Sequence, residues 1–519
     1  MSAFGKKTKT NLAEALLNDI SLGWSKYYFV EGQPYPWDDD ANPPNLNMTL
    51  EEEISFRDNM ISAFRINSND VSLVVPRINW ESGNVYEQYD TLETPENTYV
   101  LTSTYRIYRC IWNANGGLST VDPDTQDLNT APYGYFEAAD GYIWKYLGTI
   151  PLGVRIKFLS DQFMPIMRTR ERRLSYSGEL SAVSIVSPGV GYTAGGTTIS
   201  VLGDGFGATA SFTLDQQGSF ESVVIDNPGS AYTYAYIEIT GDGSGAELIP
   251  YVNYHDSPTI QAEVEDNAVP GDISNIVVEN PGGSYDTLNP PEIIIEGDGE
   301  GATASPVILN GEIVEVQITN RGRGYTRATA KILNPLTTPG VGAEFRVNLS
   351  PFKGHGYDII SDLEPRTLCF FGGDINQVLD KNRLVDTSLR QVGILKNPET
   401  FSSHRFSGIY GDLTYKVYPT EMDSNLILNT DVVIGGGRTH VVSVKESFIS
   451  LVPKNNFSIV NIKDIETFQN ANGVGIYYVK DIEPPDFDRM SGELLMVKNE
   501  VPYEKTLQQM AYHRFYLTF

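Results

Sequence analysis

The 519-residue sequence has few cysteines, few histidines and no long apolar run, and each shortage excludes a class of protein. With only Cys110 and Cys369, the chain can form neither a disulfide framework nor a thiolate zinc site, so we expect two buried thiols in a reducing compartment. The five histidines are scattered singly, which argues against a histidine-rich metal site. Without an apolar signal or spanning segment, we expect a soluble protein made in the cytosol.

Basic residues are also in short supply. Lys plus Arg number 38 against 66 Asp plus Glu, which gives a formal net charge of −28. Such a chain repels phosphate backbones and anionic lipid, because non-specific nucleic-acid affinity comes from basic side chains that displace counterions. Positive charge concentrates only at Lys6–Lys9 and at Arg168–Arg173, where Glu171 interrupts it, and we interpret both as solvated faces. The sequence predicts neither a nucleic-acid partner nor a membrane partner.

Turn residues and aromatic residues are abundant. The chain contains 47 Gly, 29 Pro and 30 Tyr, and 40% of its residues are hydrophobic, which is enough to bury several cores. Frequent turns favour many short strands over long helices. The length favours several domains. We therefore predict a mainly β, multi-domain protein with a β-sandwich-like body.

Two early segments predict helices, and later ones predict strands. Asn11–Ile20 places Leu12, Leu16 and Ile20 on one face, and Leu50–Phe64 follows Thr49, which with Glu52 forms a capping box. The apolar, β-branched and aromatic composition then predicts sheet at Val71–Val75, Tyr99–Trp112 and Gly141–Ile150.

The middle of the chain contains four repeats of about 40 residues. Each has an apolar strand, a glycine turn, a tyrosine, a second strand, another glycine turn and a third strand that begins near an alanine; the tyrosines are Tyr192, Tyr232, Tyr285 and Tyr325. Asn253–Val269 reads as a loop inserted between two pairs of repeats. Strands such as Val314–Thr319 alternate in polarity, so each repeat has one apolar face that must pack on a neighbour.

The Gly-Asp-Gly turns of the repeats could bind Ca²⁺ through Asp204, Asp242 and Asp298. The Gly-Asp-Gly turn supplies at most one Asp in each repeat, whereas calcium-binding β-rolls place one every nine residues. The fourth repeat carries Val341 between its glycines in place of the Asp. We therefore interpret these turns as structural and predict no metal.

No motif predicts catalysis or a cofactor. Gly354–Asp358 places His355 near a carboxylate but lacks a nucleophile motif, and His355 reads as a turn residue with satisfied hydrogen bonds. Gly435–Thr439 is glycine-rich, yet the strand-like residues after it do not fit a phosphate loop. We predict a protein that is not an enzyme, holds no cofactor and takes no small-molecule ligand.

Several stretches outside the repeats resemble the baseplate wedge subunit encoded by gene eight of T-even-type contractile-tailed bacteriophages. In chain order they are Val75–Trp80, Tyr108–Cys110, Asp140–Leu147 with Ile150–Pro151, Leu389–Pro398, Ser491–Leu494, Asn499 with Pro502, and Leu517–Phe519. The glycine-rich repeats resemble those of structural proteins in marine T-even-like phages, which suggests a cyanophage-type virus.

The resemblance implies a domain organisation in which body segments alternate with insertions. Residues 1–177, 352–399 and 481–519 make up the wedge-subunit body, 178–351 are the inserted four-unit β-repeat region, and 400–480 are a small inserted β module.

The resemblance also implies a non-enzymatic virion component, assembled in the host cytoplasm, that forms a homodimer and bridges other baseplate wedge subunits. Rearranged contacts between such subunits trigger sheath contraction. Because large aromatic side chains suit stable interfaces, we expect interface residues among the aromatics of the resembling segments and the C-terminus. These candidates are Trp80, Tyr108, Tyr142, Trp144, Tyr512, Phe515 and Phe519.

Two other functions remain open at the level of sequence. The protein could be a receptor- or glycan-binding tail protein whose repeats present Tyr192 and Tyr232 as exposed platforms. It could also be a tail-associated hydrolase of the cell wall, although 66 acidic residues make any chosen carboxylate pair uninformative.

Overall fold

The computed structural model describes residues 5–92, 97–125, 134–150, 152–167, 179–203, 205–230, 232, 235–253, 264–335, 339–374, 390–422, 426–454, 465–471, 475–502 and 512–519. About half of the chain is strand (51%) and 11% is helix, which confirms the predicted mainly β, multi-domain fold. The chain divides into two compact units. Unit 1 comprises Met1–Thr10 and Leu73–Arg366, and unit 2 comprises Asn11–Ser72 and Thr367–Phe519.

The elements before the repeats are α1 (Lys6–Leu22), β1 (Tyr27–Gly32), α2 (Leu50–Asp58), β2 (Met60–Ile66), β3 (Val71–Pro76), β4 (Tyr99–Leu101), β5 (Arg106–Asn113), β6 (Tyr135–Glu137), β7 (Tyr142–Thr149), α3 (Leu152–Phe158) and β8 (Phe163–Ile166). The repeats contain β9 (Glu179–Val190), β10 (Thr198–Gly203), β11 (Phe206–Leu214), β12 (Phe220–Ser230), β13 (Ala235–Thr240), β14 (Ser244–Asn253), β15 (Ile273–Gly283), β16 (Glu292–Gly297), β17 (Glu300–Leu309), β18 (Glu312–Arg323), β19 (Ala328–Leu333) and β20 (Val341–Leu349).

The remaining elements are α4 (Ile359–Leu363), β21 (Thr367–Asp374), β22 (Gln391–Lys396), β23 (Tyr410–Asp412), β24 (Tyr415–Pro419), β25 (Asp431–Ile434), β26 (Gly437–Val444), β27 (Ile449–Pro453), β28 (Thr467–Asn470), β29 (Ile476–Glu483), β30 (Glu493–Asn499) and β31 (Tyr512–Thr518).

The second helix is shorter than predicted. Its capping box forms as expected, since the Thr49 amide donates to the Glu52 carboxylate (2.8 Å) and the Glu52 amide donates to Thr49 Oγ1 (3.3 Å). The helix ends at Asp58, however, and the residues predicted to continue it form β2. The prediction fails because pairing of β2 with β1 outweighs local helix propensity.

The other local predictions have mixed outcomes. The first helix extends beyond Asn11–Ile20 at both ends, so Lys6–Lys9 lies in α1, while Arg168–Arg173 lies outside the described residues. The predicted strand Tyr99–Trp112 is interrupted at Tyr105, whose positive φ of 64° turns the chain back so that β4 and β5 pair antiparallel. Both cysteines are free and buried, as predicted.

The sheet β4-β5-β7-β6 carries the aromatic core of unit 1. Cys110 of β5 lies opposite Trp144 of β7, and Tyr108 lies opposite Tyr146. The Tyr142 and Trp144 rings stack with centroids 5.4 Å apart. These side chains pack with Tyr86, Val100 and Val264.

The four repeats pack as two modules, and the division falls between the second and third repeats, as predicted. In the first module (β9–β14), β9 pairs with β14, β10 with β13 and β11 with β12. In the second module (β15–β20), β15 pairs with β20, β16 with β19 and β17 with β18. Every ribbon therefore combines a strand from each repeat of a module, so the apolar face of one repeat is covered by its partner.

A tyrosine–glycine clasp joins the two repeats of each module. We use this name for the packing of the Tyr ring of one repeat on the second turn glycine of the other: Tyr192 on Gly243, Tyr232 on Gly205, Tyr285 on Gly340 and Tyr325 on Gly299. The phenol oxygens accept hydrogen bonds from the amides of Ala246, Ala208, Ala343 and Ala302, at 3.1–3.4 Å. These contacts explain why each repeat needs the tyrosine, the glycines and the alanine together.

The clasp corrects the sequence alignment of the fourth repeat. Because Gly340 receives the Tyr285 ring, it is equivalent to Gly243 and Gly299, and Val341 is equivalent to the residue after them. The residue at the Asp position is therefore Pro339, so the prediction that Val341 replaces the Asp is wrong.

The β sheet of unit 2 has the strand order β23-β2-β1-β22-β30. The core cluster on this sheet combines Tyr28, Met60 and Leu395 of the strands with Phe56 of α2 and with Phe487. The strands β21 and β31, which are far apart in sequence, pair antiparallel in the same unit and place Phe370 opposite Phe515.

A closed barrel with the order β24-β27-β26-β25-β28-β29 begins inside the predicted small β module (400–480) and ends beyond it, at Glu483. Phe468 and Tyr477 stack in its core at 5.0 Å. Gly435 and Gly436 form the two-residue loop between β25 and β26, with φ of 56° and 87°. Both glycines thus serve a tight hairpin with positive φ, the geometry of a type I′ turn.

Candidate functional site

A group of buried polar side chains in unit 1 surrounds His355. Its Nδ1 lies 2.5 Å from Asp362 Oδ1 and its Nε2 lies 2.9 Å from Ser274 Oγ. The second Asp362 oxygen accepts from the Gly356 amide at 2.8 Å. His355 therefore has its hydrogen bonds satisfied, as predicted, but the carboxylate partner is Asp362 and not Asp358. Asp358 instead caps α4 by accepting from the Ile360 amide.

Ser274, His355 and Asp362 have the hydrogen-bond order of a nucleophile, a base and an orienting acid. All three side chains are buried, and Tyr89 and Tyr135 meet the imidazole edge-on, with centroids 4.6 and 6.2 Å away. A substrate has no route to Ser274 Oγ in this structure. The arrangement instead fastens the loop before α4 to β15, since each polar atom of the relay is paired within the protein.

Lys145 enters the same group from β7 and is only 1% exposed. Burial lowers the pKa of its ammonium to about 8, and the nearby Asp362 and Asp272 carboxylates oppose that shift. The chain makes room for it at Gly356, where a Cβ would lie 3.1 Å from Lys145 Cε. No role for Lys145 was predicted from the sequence, although a lysine between Trp144 and Tyr146 on a core strand is a sign of buried partners.

The Tyr135 ring lies near two cationic side chains, Lys145 and Arg321. Lys145 Nζ lies 5.6 Å and Arg321 Cζ 4.0 Å from the ring centroid, so the ring is positioned for cation–π contacts with both. Arg321 also donates to the backbone carbonyls of Ile273 and Ser274. Burial raises the pKa of the Tyr135 phenol well above its usual range. A residue of the second module, Arg321, therefore bridges β15 and the body sheet.

A second polar joint ties the second module to the body strands. Asn275 Nδ2 donates to the carbonyls of Tyr89 and Ile111 at 2.7 and 2.8 Å, and its Oδ1 accepts from Asn348 at 2.8 Å. Arg346 Nη1 forms an ion pair with both carboxylate oxygens of Asp90, at 2.5 and 2.6 Å. Buried amide pairs with full hydrogen bonding hold one geometry, so this joint is rigid.

Two of the three candidate calcium ligands have structural partners. Asp242 accepts from the Thr193 amide (2.9 Å) and hydroxyl (2.6 Å), and Asp298 accepts in the same way from Thr326 (2.9 and 2.5 Å). These bonds, led by the threonine hydroxyls, lower the pKa of both carboxyls. Asp204 lies outside the described residues. Within the described part of the chain, no three His, Cys, Asp or Glu side chains group as a metal site.

Several predicted interface aromatics are core residues. Four of them are buried within the chain: Tyr108, Tyr142, Trp144 and Phe515. They pack in the hydrophobic core beside their own sheets, so the expectation that they face a partner chain is wrong. Trp80 is half-buried and donates its indole N–H to Ser119 Oγ at 3.0 Å. Phe519 is half-buried, and the Tyr512 side chain lies outside the described residues.

The tyrosines proposed as glycan platforms are also covered. Tyr192 and Tyr232 are buried beneath the glycine turns that they clasp, so neither offers a ring face to a sugar. The large apolar side chains that reach the surface are others, none of which was predicted as an interface residue. The most exposed include Trp24, Leu50, Leu92, Phe206, Leu288, Val341 and Phe352.

The described residues contain no helix long and apolar enough to cross a membrane. The scan of protein-family models gives no match to this chain, and the search of curated proteins gives no significant match.

Proposed function

We propose that the chain is a structural subunit of the baseplate wedge of a contractile phage tail, and that it works by joining neighbouring wedge proteins. The ordered sequence resemblance to the gene-eight wedge subunit supports this proposal, together with the place of the resembling segments in the fold.

The observation that carries the proposal is that resembling segments distant in sequence are neighbouring strands. Tyr108–Cys110 lies in β5 and pairs with Trp144–Tyr146 in β7, which belong to the segment Asp140–Leu147. Residues 391–396 form β22, which pairs with β30. β30 begins within Ser491–Leu494 and ends at Asn499. The resemblance therefore covers strands around which the core of each unit is built, while the repeats and the barrel contribute separate cores.

The internal construction suits a part that transmits force. The repeats are interlocked by clasps, and the second module is fixed to the body by buried amides and by the Arg346–Asp90 pair. Stiff parts of this kind move as units, so a contraction signal would change the contacts between subunits. Such rearrangements need two arrangements that differ by only a few kcal/mol, roughly the scale of bistable interfaces.

Contacts with partners would be made by the exposed apolar side chains, which include Phe352 and Leu288, rather than by the core aromatics. We propose that these surfaces serve the homodimer and the other wedge subunits. Scattered exposed apolar residues are normal on any protein, so the partners must be found by experiment.

The test is to locate the protein in purified phage particles. Mass spectrometry of intact particles should detect the chain, and antibodies raised against it should label the end of the tail that meets the host. Detection only in the soluble fraction of infected cells, with no signal from particles, would refute the proposal.

A further inference from the structure

The strand β30 (Glu493–Asn499) lies at one edge of the unit 2 sheet and pairs with β22 on its inner side. Within the described part of the chain, no strand or loop bonds to the backbone of residues 493–498 on the outer side. The opposite edge strand, β23, has only three residues. Asp486 covers that edge by bonding to the Asp412 amide at 2.7 Å and to the Asp412 carbonyl at 2.9 Å. β30 is therefore the long open edge of this sheet.

The side chains of β30 suit pairing with another strand. Unpaired amides and carbonyls on a sheet edge are a template for such pairing. Residues 494–497 are all apolar and half-buried, and Leu494 and Val497 pack against the core cluster of the sheet. Glu493 and Lys498, one at each end of this apolar stretch, are exposed. The open edge thus presents an apolar centre between two opposite charges.

A β-bulge places these two charges on the same face of the sheet. In a regular strand, residues five apart point to opposite faces. The register of β30 against β22 skips Leu495, which is the extra residue of a bulge. Glu493 therefore lies opposite Lys396 and Lys498 lies opposite Val392, and these partners are four residues apart on β22, which is regular. Directly opposed residues share a face, so Glu493 and Lys498 do as well.

We propose that β30 pairs antiparallel with β30 of a second copy of this chain, about a twofold axis centred on the bulge. In a twofold interface every contact occurs twice. The axis brings Glu493 of each copy opposite Lys498 of the other, and Leu494 of each copy opposite Val497 of the other. The two five-stranded sheets then form one continuous sheet. This surface rests on the homodimer in the proposed function and specifies where the two copies meet.

Charge complementarity selects a second copy as the occupant. A lysine on an edge strand usually opposes pairing with other strands. Here the same strand carries the glutamate that neutralises it, at the position that a twofold axis requires. Lys498 Nζ also lies 2.6 Å from Glu500 Oε1 of its own chain, and an ammonium has three donors, so it can serve both carboxylates. A strand of another protein would need the same two charges in the same order and a matching bulge.

The test is charge reversal in the full-length protein, with dissociation constants measured by sedimentation velocity over a series of concentrations. Glu493→Lys and Lys498→Glu each place like charges opposite one another at two positions, so each should weaken the homodimer at least about tenfold. The double variant restores both opposite pairs. An equimolar mixture of the two single variants does the same in a heterodimer. Both should return to within about threefold of the parent. Glu312→Lys, at an exposed site in the repeats, is the matched control and should dimerise like the parent.

Recovery in the mixture supports the proposal most strongly, because damage to the folding of either single variant could not be repaired by adding the other. A parent chain that stays monomeric at every concentration overturns the pairing. A dimer that neither single variant weakens overturns β30 as the interface and leaves the homodimer to another surface. Single variants that weaken the dimer without recovery in the mixture overturn the antiparallel alignment. The role in a baseplate is tested separately, by detection of the chain in particles.

Discussion

Replacing Gly243 with alanine should loosen the first module, because the clasp leaves no room for a Cβ. A Cβ at Gly243 would lie 2.4 Å from Tyr192 Cγ and 2.6 Å from both Cδ atoms, well inside van der Waals contact. Tyr192 is buried and cannot swing away without opening the module. Overpacking of this kind costs about 1–3 kcal/mol, which corresponds to a roughly 5- to 150-fold larger equilibrium constant for opening of the module.

The assay is hydrogen–deuterium exchange of the full-length protein, followed by mass spectrometry of peptides from β9–β14. Gly195→Ala is the matched control, since Gly195 lies in the same module, has no positive φ and has no atom within 4 Å of its Cβ position. The control should exchange like the parent protein or slightly more slowly, as the unfolded chain loses entropy. In a Tyr192→Ala background, Gly243→Ala should cost little more, because the clashing ring is gone. Equal exchange of Gly243→Ala and Gly195→Ala would refute the clasp.

Three further predictions concern charge and surface. Asp362→Ala leaves the His355 ring and the Gly356 amide unpaired and should lower the free energy of unfolding by about 2–5 kcal/mol. Asp358→Ala removes only a helix cap and should cost about 1 kcal/mol. Thermal unfolding compares the two variants, and equal losses of stability would contradict Asp362 as the partner of His355. The folded-state pKa of Asp298 is lowered, so its stabilisation is present above the unfolded pKa of about 4 and is lost as the pH falls. Asp298→Asn should therefore make the stability of β15–β20, measured by hydrogen–deuterium exchange, less dependent on pH in the acidic range. A pH dependence equal to that of the parent protein would contradict this role of Asp298. Phe352→Ser should leave the melting temperature unchanged, since Phe352 is 87% exposed, and should weaken binding to any wedge partner that uses this face.

The fold class and the repeats could be predicted from the sequence because both depend on local patterns. Alternating strands, glycine turns and a tyrosine at a fixed position were visible in every repeat. The pairing of β9 with β14, which joins the first strand of one repeat to the last strand of the next, could not be read from any one repeat. The position of Pro339 could also have been predicted, because the repeats share a Gly-x-Gly-Ala pattern, which is Gly243–Ala246 in the second repeat and Gly340–Ala343 in the fourth.

The polar sites were harder to predict, because they are assembled from distant segments. His355 was noticed, but its partners Ser274 and Asp362 come from β15 and α4, so the nearby Asp358 was the wrong choice. Gln391 and Asn499 belong to segments that carry the resemblance, and only the strand register brings them together. Aromatic content alone did not separate core from surface, since an exposed Tyr and a buried one have the same local sequence signature.

The role as a joining subunit is tested most directly by multi-angle light scattering of the purified chain, alone and mixed with the other proteins of the same phage's baseplate. We expect a mass of twice 57.4 kDa for the chain alone and a larger, stable complex with at least one wedge protein. A mass of 57.4 kDa in every mixture would contradict the account.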